Sequence, residues 1–358
     1  MSDVPATMRA VLLTGHGGPE MLRYREDVPT PSPAPGEVLV RVAACGVNNT
    51  DIWVREGAYG SEDDPGAVSS WRRGRRLEFP LIQGADIAGR IAAVGDGVDG
   101  AIAGKRVMVD FGIYNDTGPS LANVDYIGHG RDGGFAEYCA VPAENAHIVE
   151  TPLSDAELAT FCCAYVTAER MLARAHVTGG ETVLVTGASG GVGTGLIQLA
   201  RARGAIPIAL ASARWADALL ELGAQAVIAR ESDDLGAAIR STLGARAVDV
   251  VADVVAGPMF RTLLNVLRPE GRYVTAGAIG GPLVELDLRT VYLKHLDLIG
   301  STQGSREDFA RVRDLAIAGR IRPVLAGTYP LEDIARAQAD FVARDFIGKL
   351  VMTTESAQ

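Results

Sequence analysis

At 358 residues the chain has material for two domains, and its formal net charge of −10 argues against a general nucleic-acid binder. With 47% hydrophobic and 22% charged residues, its balance is that of an ordinary globular protein. No uninterrupted apolar run reaches the ~20 residues of a membrane span, and the N-terminal stretch Met1–Ala10 lacks the apolar core of a secretory signal.

Met8–Thr14 reads as a first strand, with Glu20–Tyr24 in the same antiparallel sheet. Thr30–Gly36 carries three prolines and excludes helix. Glu37–Cys45 alternates and is rich in valine, which predicts a half-buried strand. Val47-Asn-Asn-Thr-Asp51 follows, then a helix to Arg55 and a glycine turn over 57–60. Residues 61–78 are polar and include the basic run Trp71-Arg-Arg-Gly-Arg-Arg76. This reads as a solvated surface loop; the sharper alternative is a lid whose arginines attract an anionic substrate such as a thioester carrier's phosphate. Strands are expected over Ile87–Val94, Gly104–Val109, Phe135–Val141 and Ala146–Val149, with a long glycine-rich connection over 110–134. The four cysteines, Cys45, Cys139, Cys162 and Cys163, form no staple framework and read as reduced thiols in a cytoplasm.

Asp155–Ala173 reads as one helix opened by the capping pattern Ser154-Asp-Ala-Glu157. From about residue 165 strands and helices alternate: strands 182–186, 206–211, 225–229, 248–253 and 271–276, helices 192–203, 214–222, 234–242 and 258–267. That alternation predicts a doubly wound parallel sheet, α/β in class. Its first strand runs into Gly187-Ala-Ser-Gly-Gly-Val-Gly193, a turn that then opens a helix. Strand, glycine turn and helix in this order are a dinucleotide fingerprint. Gly190 admits a pyrophosphate close to the backbone, Gly193 lets the helix pack on the strand, and the N–H groups at the helix start attract the anion. Ala188 stands where the usual pattern has its first glycine, and Ser189, Gly191 and Val192 complete the cradle. Asp308–Gly319 and Tyr329–Arg344 read as further helical units, and Gly348–Met352 as a closing strand that returns to the first domain.

Several motifs in order now resemble the medium-chain dehydrogenase/reductase superfamily. They are Cys45-Gly-Val-Asn-Asn-Thr-Asp51, Gln83-Gly-Ala-Asp-Ile-Ala-Gly89, Gly133-Gly-Phe-Ala-Glu-Tyr138, Thr167-Ala-Glu169, the Ala188 turn and Gly348-Lys-Leu-Val351. The resemblance implies a GroES-like β-rich catalytic domain over 1–164, a Rossmann domain over 165–305 and a C-terminal return over 306–358. It also implies hydride transfer at a cleft between the two domains, and adds Thr167 to the cofactor residues. Edge-to-edge pairing of Rossmann sheets, a habit of the family, implies a homodimer through residues 280–301.

The zinc members of that superfamily place their metal ligands at positions that here hold Asn48, Ala85 and Cys163. Catalytic zinc typically takes three protein ligands and one open position, and only Cys163 could ligate. Residues 90–134 contain no cysteine, so the structural-zinc lobe is missing as well. Asp51, Asp86 and His129 are the alternative ligand set, but Asp51 and Asp86 read more readily as loop or ion-pair residues; Cys162 and Cys163 read as small buried fillers. No metal is expected. The chain resembles the zinc-independent quinone oxidoreductase and enoyl reductase branch, whose Gly-Val-Asn-x-x-Asp loop matches Gly46–Asp51 and whose tyrosine matches Tyr59. Without a Lewis acid, hydride addition to an activated C=C bond or a quinone is less demanding than alcohol oxidation. Asn48 offers an amide donor and Tyr59 a phenol for the developing oxyanion.

NAD-binding sheets usually carry an acid ~20 residues past the turn for the ribose 2′-OH. Here the strand ends Ala211-Ser-Ala-Arg214, so Ser212 and Arg214 favour the 2′-phosphate of NADPH. Gly257 and Gly277-Ala278-Ile279 sit at strand C-terminal ends, where the resemblance places ribose and nicotinamide. The expectation is a cytoplasmic NADPH oxidoreductase for a small quinone, enone or enoyl substrate, with no nucleic-acid or membrane partner. A zinc alcohol dehydrogenase and a non-catalytic dinucleotide-binding protein are the alternatives.

Overall fold

The computed structural model describes residues 4–59, 77–114 and 124–354. The basic run 71–76, and with it the lid reading, lies outside the described residues. The chain divides into two compact units: Met1–Cys163 with Leu325–Asp345 and Lys349–Gln358, and Ala164–Val324 with Phe346–Gly348.

The first unit is β-rich. Its strands are β1 (Thr7–Leu13), β2 (Leu22–Pro29), β3 (Glu37–Gly46), β4 (Leu81–Ile82), β5 (Asp86–Val94), β6 (Arg106–Val109), β7 (Gly112–Tyr114), β8 (Val124–Tyr126), β9 (Tyr138–Pro142) and β10 (Ala146–Ile148). β3 is the hub. It pairs antiparallel with β5, β9 and the C-terminal strand Lys349–Thr353. That is why it is buried on both faces where the alternating sequence predicted a half-buried strand: Val38, Leu39, Val40 and Val42 are all within the core. The helix α1 (Asn49–Glu56) follows β3 directly. Its N-terminus is fixed by the Asp51 carboxylate, which accepts from the Asn48 backbone N–H at 2.7 Å, and it ends at left-handed Gly57. The connection expected over 110–134 contains the β7–β8 hairpin, which pairs Gly112 with Tyr126.

The helix expected over 155–173 is two helices, α2 (Asp155–Leu158) and α3 (Ala164–Arg174). The break has two causes, one local and one distant in sequence. Thr160 Oγ1 donates to the Glu157 carbonyl at 2.7 Å, and the Cys163 N–H leaves the helical ladder to donate to the Asp86 carboxylate at 2.6 Å.

The second unit is a six-stranded parallel sheet. In chain order its strands are β11 (Thr182–Val185), β12 (Ile206–Ala211), β13 (Ala226–Ala229), β14 (Val248–Asp253), β15 (Leu267–Thr275) and β16 (Asp297–Gly300), and in space they run β13-β12-β11-β14-β15-β16. The order reverses between β11 and β14, the switch point outside which doubly wound sheets bind ligands. β15 begins at Leu267, earlier than the expected 271, because Leu267 pairs Val248 before an irregularity and the register then resumes at Arg272. The helices α4 (Gly191–Ala202), α5 (Ala216–Glu221), α6 (Leu235–Leu243), α7 (Phe260–Val266), α8 (Leu288–Lys294) and α9 (Arg306–Ile317) belong to this unit. The return to the first unit therefore starts at Leu325, with β17 (Leu325–Pro330), α10 (Ile334–Ala343) and β18 (Lys349–Thr353), and not at 306. Among the described residues no helix is long and apolar enough to cross a membrane.

Candidate functional site

The glycine turn joins β11 to α4 as a cradle. Gly193 is required by the fold itself, since a Cβ there would lie 2.3 Å from the Gly187 carbonyl oxygen and 2.5 Å from the Ala188 Cα. Gly190 is different. Its φ of −78° is open to any residue, and a Cβ would meet only the Gly187 carbonyl oxygen at 3.4 Å. Intramolecular packing therefore leaves room at Gly190, and the room is what a closely seated pyrophosphate needs. Gly190 caps α4 without a side-chain bond and bridges to Gly348, and the first-turn N–H groups at Val192 and Gly193 are the ones offered to an anion. Ser189 is held by its carbonyl, which accepts from the Gly348 N–H at 2.8 Å.

Two more loops at the same sheet edge are laced together. The Gly280 N–H donates to Val255 O at 2.7 Å, Ala276 to Asp253 O at 3.3 Å and Gly257 to Gly281 O at 3.2 Å. A Cβ on Gly257 would lie 2.3 Å from the Gly280 carbonyl oxygen, so glycine is obligatory where the loops touch. Under them is Asp253, fully buried, which the sequence reading missed. Its carboxylate accepts from Thr186 Oγ1 at 2.5 Å, from the Val255 and Ala256 N–H groups at 2.8 and 3.1 Å, and from the Tyr273 hydroxyl. Burial and this neighbouring charge push the Tyr273 phenol above its ordinary range. Asp253 thus ties the residue before the glycine turn to the loop carrying Gly257 and to the strand leading to Gly277, Ala278 and Ile279. Thr167 is buried on α3 of the same unit.

At the end of β12, Ser212 opens a turn and Arg214 lies over the neighbouring Trp215 ring at 4.8 Å. An acid is present after all, from another strand. Glu231, just beyond β13, hydrogen-bonds the Ser212 side chain, which holds its carboxyl below the ordinary range, and pairs with Arg230 at 3.3 Å. Sequence spacing counted along one strand could not find it.

In the first unit Asn48 and Tyr59 are not bonded to each other. The Tyr59 hydroxyl is 3.3 Å from Thr50 Oγ1 and its ring meets Trp53 edge-on at 5.3 Å. Asn48 belongs to a buried cluster around Lys349. The ammonium donates to Asn48 Oδ1 at 2.6 Å, to Asp86 Oδ2 at 2.7 Å and to the Val47 carbonyl at 2.8 Å. Asn48 Nδ2 in turn donates to Asp86 at 3.0 Å. Burial pushes the Asp86 carboxyl up against the pull of Lys349, and Asp86's charge holds the Lys349 ammonium above its ordinary value despite its own burial. Nearby, His129 Nε2 lies 3.3 Å from Asp51 Oδ1.

Of the three residues weighed as metal ligands in the sequence, Asn48 has its Oδ1 toward an ammonium, Ala85 is apolar and buried, and Cys163 is half-buried. Among the described residues no three His, Cys, Asp or Glu side chains are grouped to hold a metal ion. Burial pushes the Cys45 and Cys162 thiols well up and Cys139 to about 12.

Comparison with known proteins agrees with this architecture. Residues 34–152 match the family model described as alcohol dehydrogenase GroES-like domain, and residues 191–318 match zinc-binding dehydrogenase. The quinone oxidoreductase of Rattus norvegicus is 30% identical over 96% of this chain and 97% of its own length. The acryloyl-coenzyme A reductase of Metallosphaera sedula is 30% identical over 97% of this chain and 100% of its own. A crystal structure from Sinorhizobium meliloti 1021, whose assignment as an alcohol dehydrogenase is itself provisional, superposes with a TM-score of 0.96 at 63% identity, covering 99% of this chain and 98% of that one.

Proposed function

The chain belongs to the medium-chain dehydrogenase/reductase superfamily, and from that premise we propose that it is an NADPH-dependent oxidoreductase that reduces a quinone or an activated C=C acceptor, enone or enoyl, without catalytic zinc. The observation that carries the reading is the Lys349 ammonium bonded to Asn48, which stands at one of the three positions matched to the zinc ligands, and to Asp86, the neighbour of Ala85 at another. The amide oxygen at the first of those positions already faces a cation, and the alanine at the second has no donor atom to offer a metal.

A bound nicotinamide supplies the hydride. The remaining demand is to hold negative charge on the acceptor's oxygen and then protonate the product. Lys349 fixes the Asn48 amide with its oxygen toward the ammonium, so its NH2 side is defined. One of those N–H groups goes to Asp86 at 3.0 Å; the other, held only by a long 3.5 Å contact to the Gly46 carbonyl, is the donor we assign to the oxyanion. Tyr59, hydrogen-bonded to Thr50, is the phenol we assign to proton delivery. The cofactor preference rests on Ser212 and Arg214 and on β12 ending without an acid, with Glu231 a counterweight that its pairing to Arg230 weakens.

A homodimer through residues 280–301 is supported by the exposure of Leu283, Leu288, Tyr292 and Leu293 (92, 66, 61 and 70%) beside β16, the outermost strand of its sheet. Sedimentation at micromolar concentration should give a dimer that Leu293→Glu converts to monomer; a monomeric wild type contradicts the assignment. The functional test is a panel of quinones, enals, enoyl thioesters and simple aldehydes offered with NADPH and with NADH. Oxidation of NADPH by the first three classes is expected. Turnover confined to alcohols and aldehydes in a zinc-loaded protein would favour the alcohol dehydrogenase alternative.

A further inference from the structure

The buried carboxylate of Asp253 gathers donors from three segments of the second unit. Thr186 Oγ1, on the residue before the glycine turn, donates to Oδ1 at 2.5 Å. That hydroxyl oxygen also accepts from the Val254 N–H at 3.1 Å, so its one proton is committed to Asp253. The Val255 N–H donates to Oδ1 at 2.8 Å, the Ala256 N–H lies 3.1 Å from both carboxylate oxygens, and the Tyr273 hydroxyl donates to Oδ2. Ala256 is held at φ 56° and ψ −137°, a conformation that only glycine adopts without cost. Strain of this kind persists only where neighbouring bonds over-determine it, and here the two oxygens of Asp253 do so. The strained residue sets Gly257 against the next loop. The Gly257 N–H donates to Gly281 O at 3.2 Å, and the Val255 and Val254 carbonyls accept from the Gly280 and Ile279 N–H groups at 2.7 and 3.4 Å. The loops after β14 and β15 thus take their form from a carboxylate that the strand end before the glycine turn also holds.

We propose that Asp253 couples the two halves of the dinucleotide site, so that a ligand seated on the glycine turn raises the affinity of the loops over 254–257 and 276–281 for the second mononucleotide; the inference rests on the dinucleotide reading above. The two states differ at Ala256. In one, the carboxylate holds the Val255 and Ala256 N–H groups and Ala256 stays left-handed. In the other it releases them, Ala256 relaxes to negative φ, and Gly257 leaves Gly281. A phosphate on the turn immobilises the Gly187–Gly193 backbone and with it Thr186, which fixes the Asp253 oxygen that Val255 and Ala256 need. The ordering cost of the second pair of loops is then met before their own ligand arrives, and by linkage each half-ligand favours the other equally.

The test uses two half-ligands on the full chain, adenosine 2′,5′-bisphosphate for the first half and nicotinamide mononucleotide for the second, titrated singly and together by calorimetry. In the wild type, saturating bisphosphate should tighten nicotinamide mononucleotide by about 10-fold. Thr186→Val removes the hydroxyl and leaves the other Asp253 bonds, and should bring that factor below about 2-fold. Thr186→Ser keeps the hydroxyl and should retain the coupling, whereas a role in packing alone would be lost in Ser and Val alike. Amide hydrogen exchange gives a second reading that needs neither a variant nor a second ligand: the bisphosphate alone should slow exchange at Val255 and Ala256 by about 10-fold in the wild type. Equal coupling factors in the three proteins, no binding of nicotinamide mononucleotide in the presence of the bisphosphate, or exchange at Val255 and Ala256 indifferent to the bisphosphate would each overturn the proposal. If 5′-AMP bound and the bisphosphate did not, the phosphate preference would fail while the coupling test proceeded with 5′-AMP. If neither bound, the dinucleotide reading would fall with the proposal.

Discussion

Lys349 makes the sharpest claim at the scale of single residues. Removing one partner of a buried ion pair strands the other, at a cost of ~3–5 kcal/mol, whereas replacing both can be close to neutral. Lys349→Met should therefore be strongly destabilised by chemical denaturation, and Asp86→Asn/Lys349→Met should recover most of the loss. The pH dependence follows from the raised ammonium. Its folded value lies above the ordinary 10.5, so its contribution is complete below pH 10.5 and is lost as pH rises through the folded value. The stability gap between wild type and Lys349→Met should hold constant from pH 7 to about 10 and shrink only above that. A gap already closing at pH 8 would mean the ammonium is not held as described. For Tyr59 the expected signature is kinetic: Tyr59→Phe lowers kcat by about 100-fold with the acceptor's KM within about 2-fold. Full turnover by Tyr59→Phe removes the phenol from the mechanism.

Among the elements, the glycine turn was readable because its strand, turn and helix are consecutive and each announces itself locally. Gly190 and Gly193 divide the demands of that turn between ligand and fold. Gly190→Ala should leave the melting temperature within a few degrees of wild type and weaken NADPH binding by an order of magnitude or more, both measured on one purified protein. Gly193→Ala should instead lower the melting temperature, because its Cβ would collide with the Gly187 carbonyl. A Gly190→Ala variant that binds NADPH normally would show that no pyrophosphate rests there. The helix expected over 155–173 was misread for a reason periodicity cannot carry. Its apolar spacing continues, but the Cys163 N–H is claimed by Asp86, a residue distant in sequence. Glu231 escaped in the same way, since it reaches Ser212 from the next strand over.

For the whole molecule, the two units were legible in the change from β-rich texture to alternating strand and helix. The buried cluster to which we assign the chemistry was only half legible. Asn48 stood out as a motif residue, but Lys349, 301 positions away, read only as the start of a closing strand. β18 has to return and pair with β3 before its ammonium can meet Asn48, and nothing local records that. The same long-range contact carries the central claim, that amide and phenol groups polarise the acceptor in place of a metal. The most direct measurement is the rate of NADPH oxidation by a quinone or enone acceptor, before and after exhaustive chelation, with metal content determined on the same samples. The account predicts an unchanged rate in protein holding far less than one metal ion per chain. A rate that falls with the metal and returns on adding zinc would contradict it.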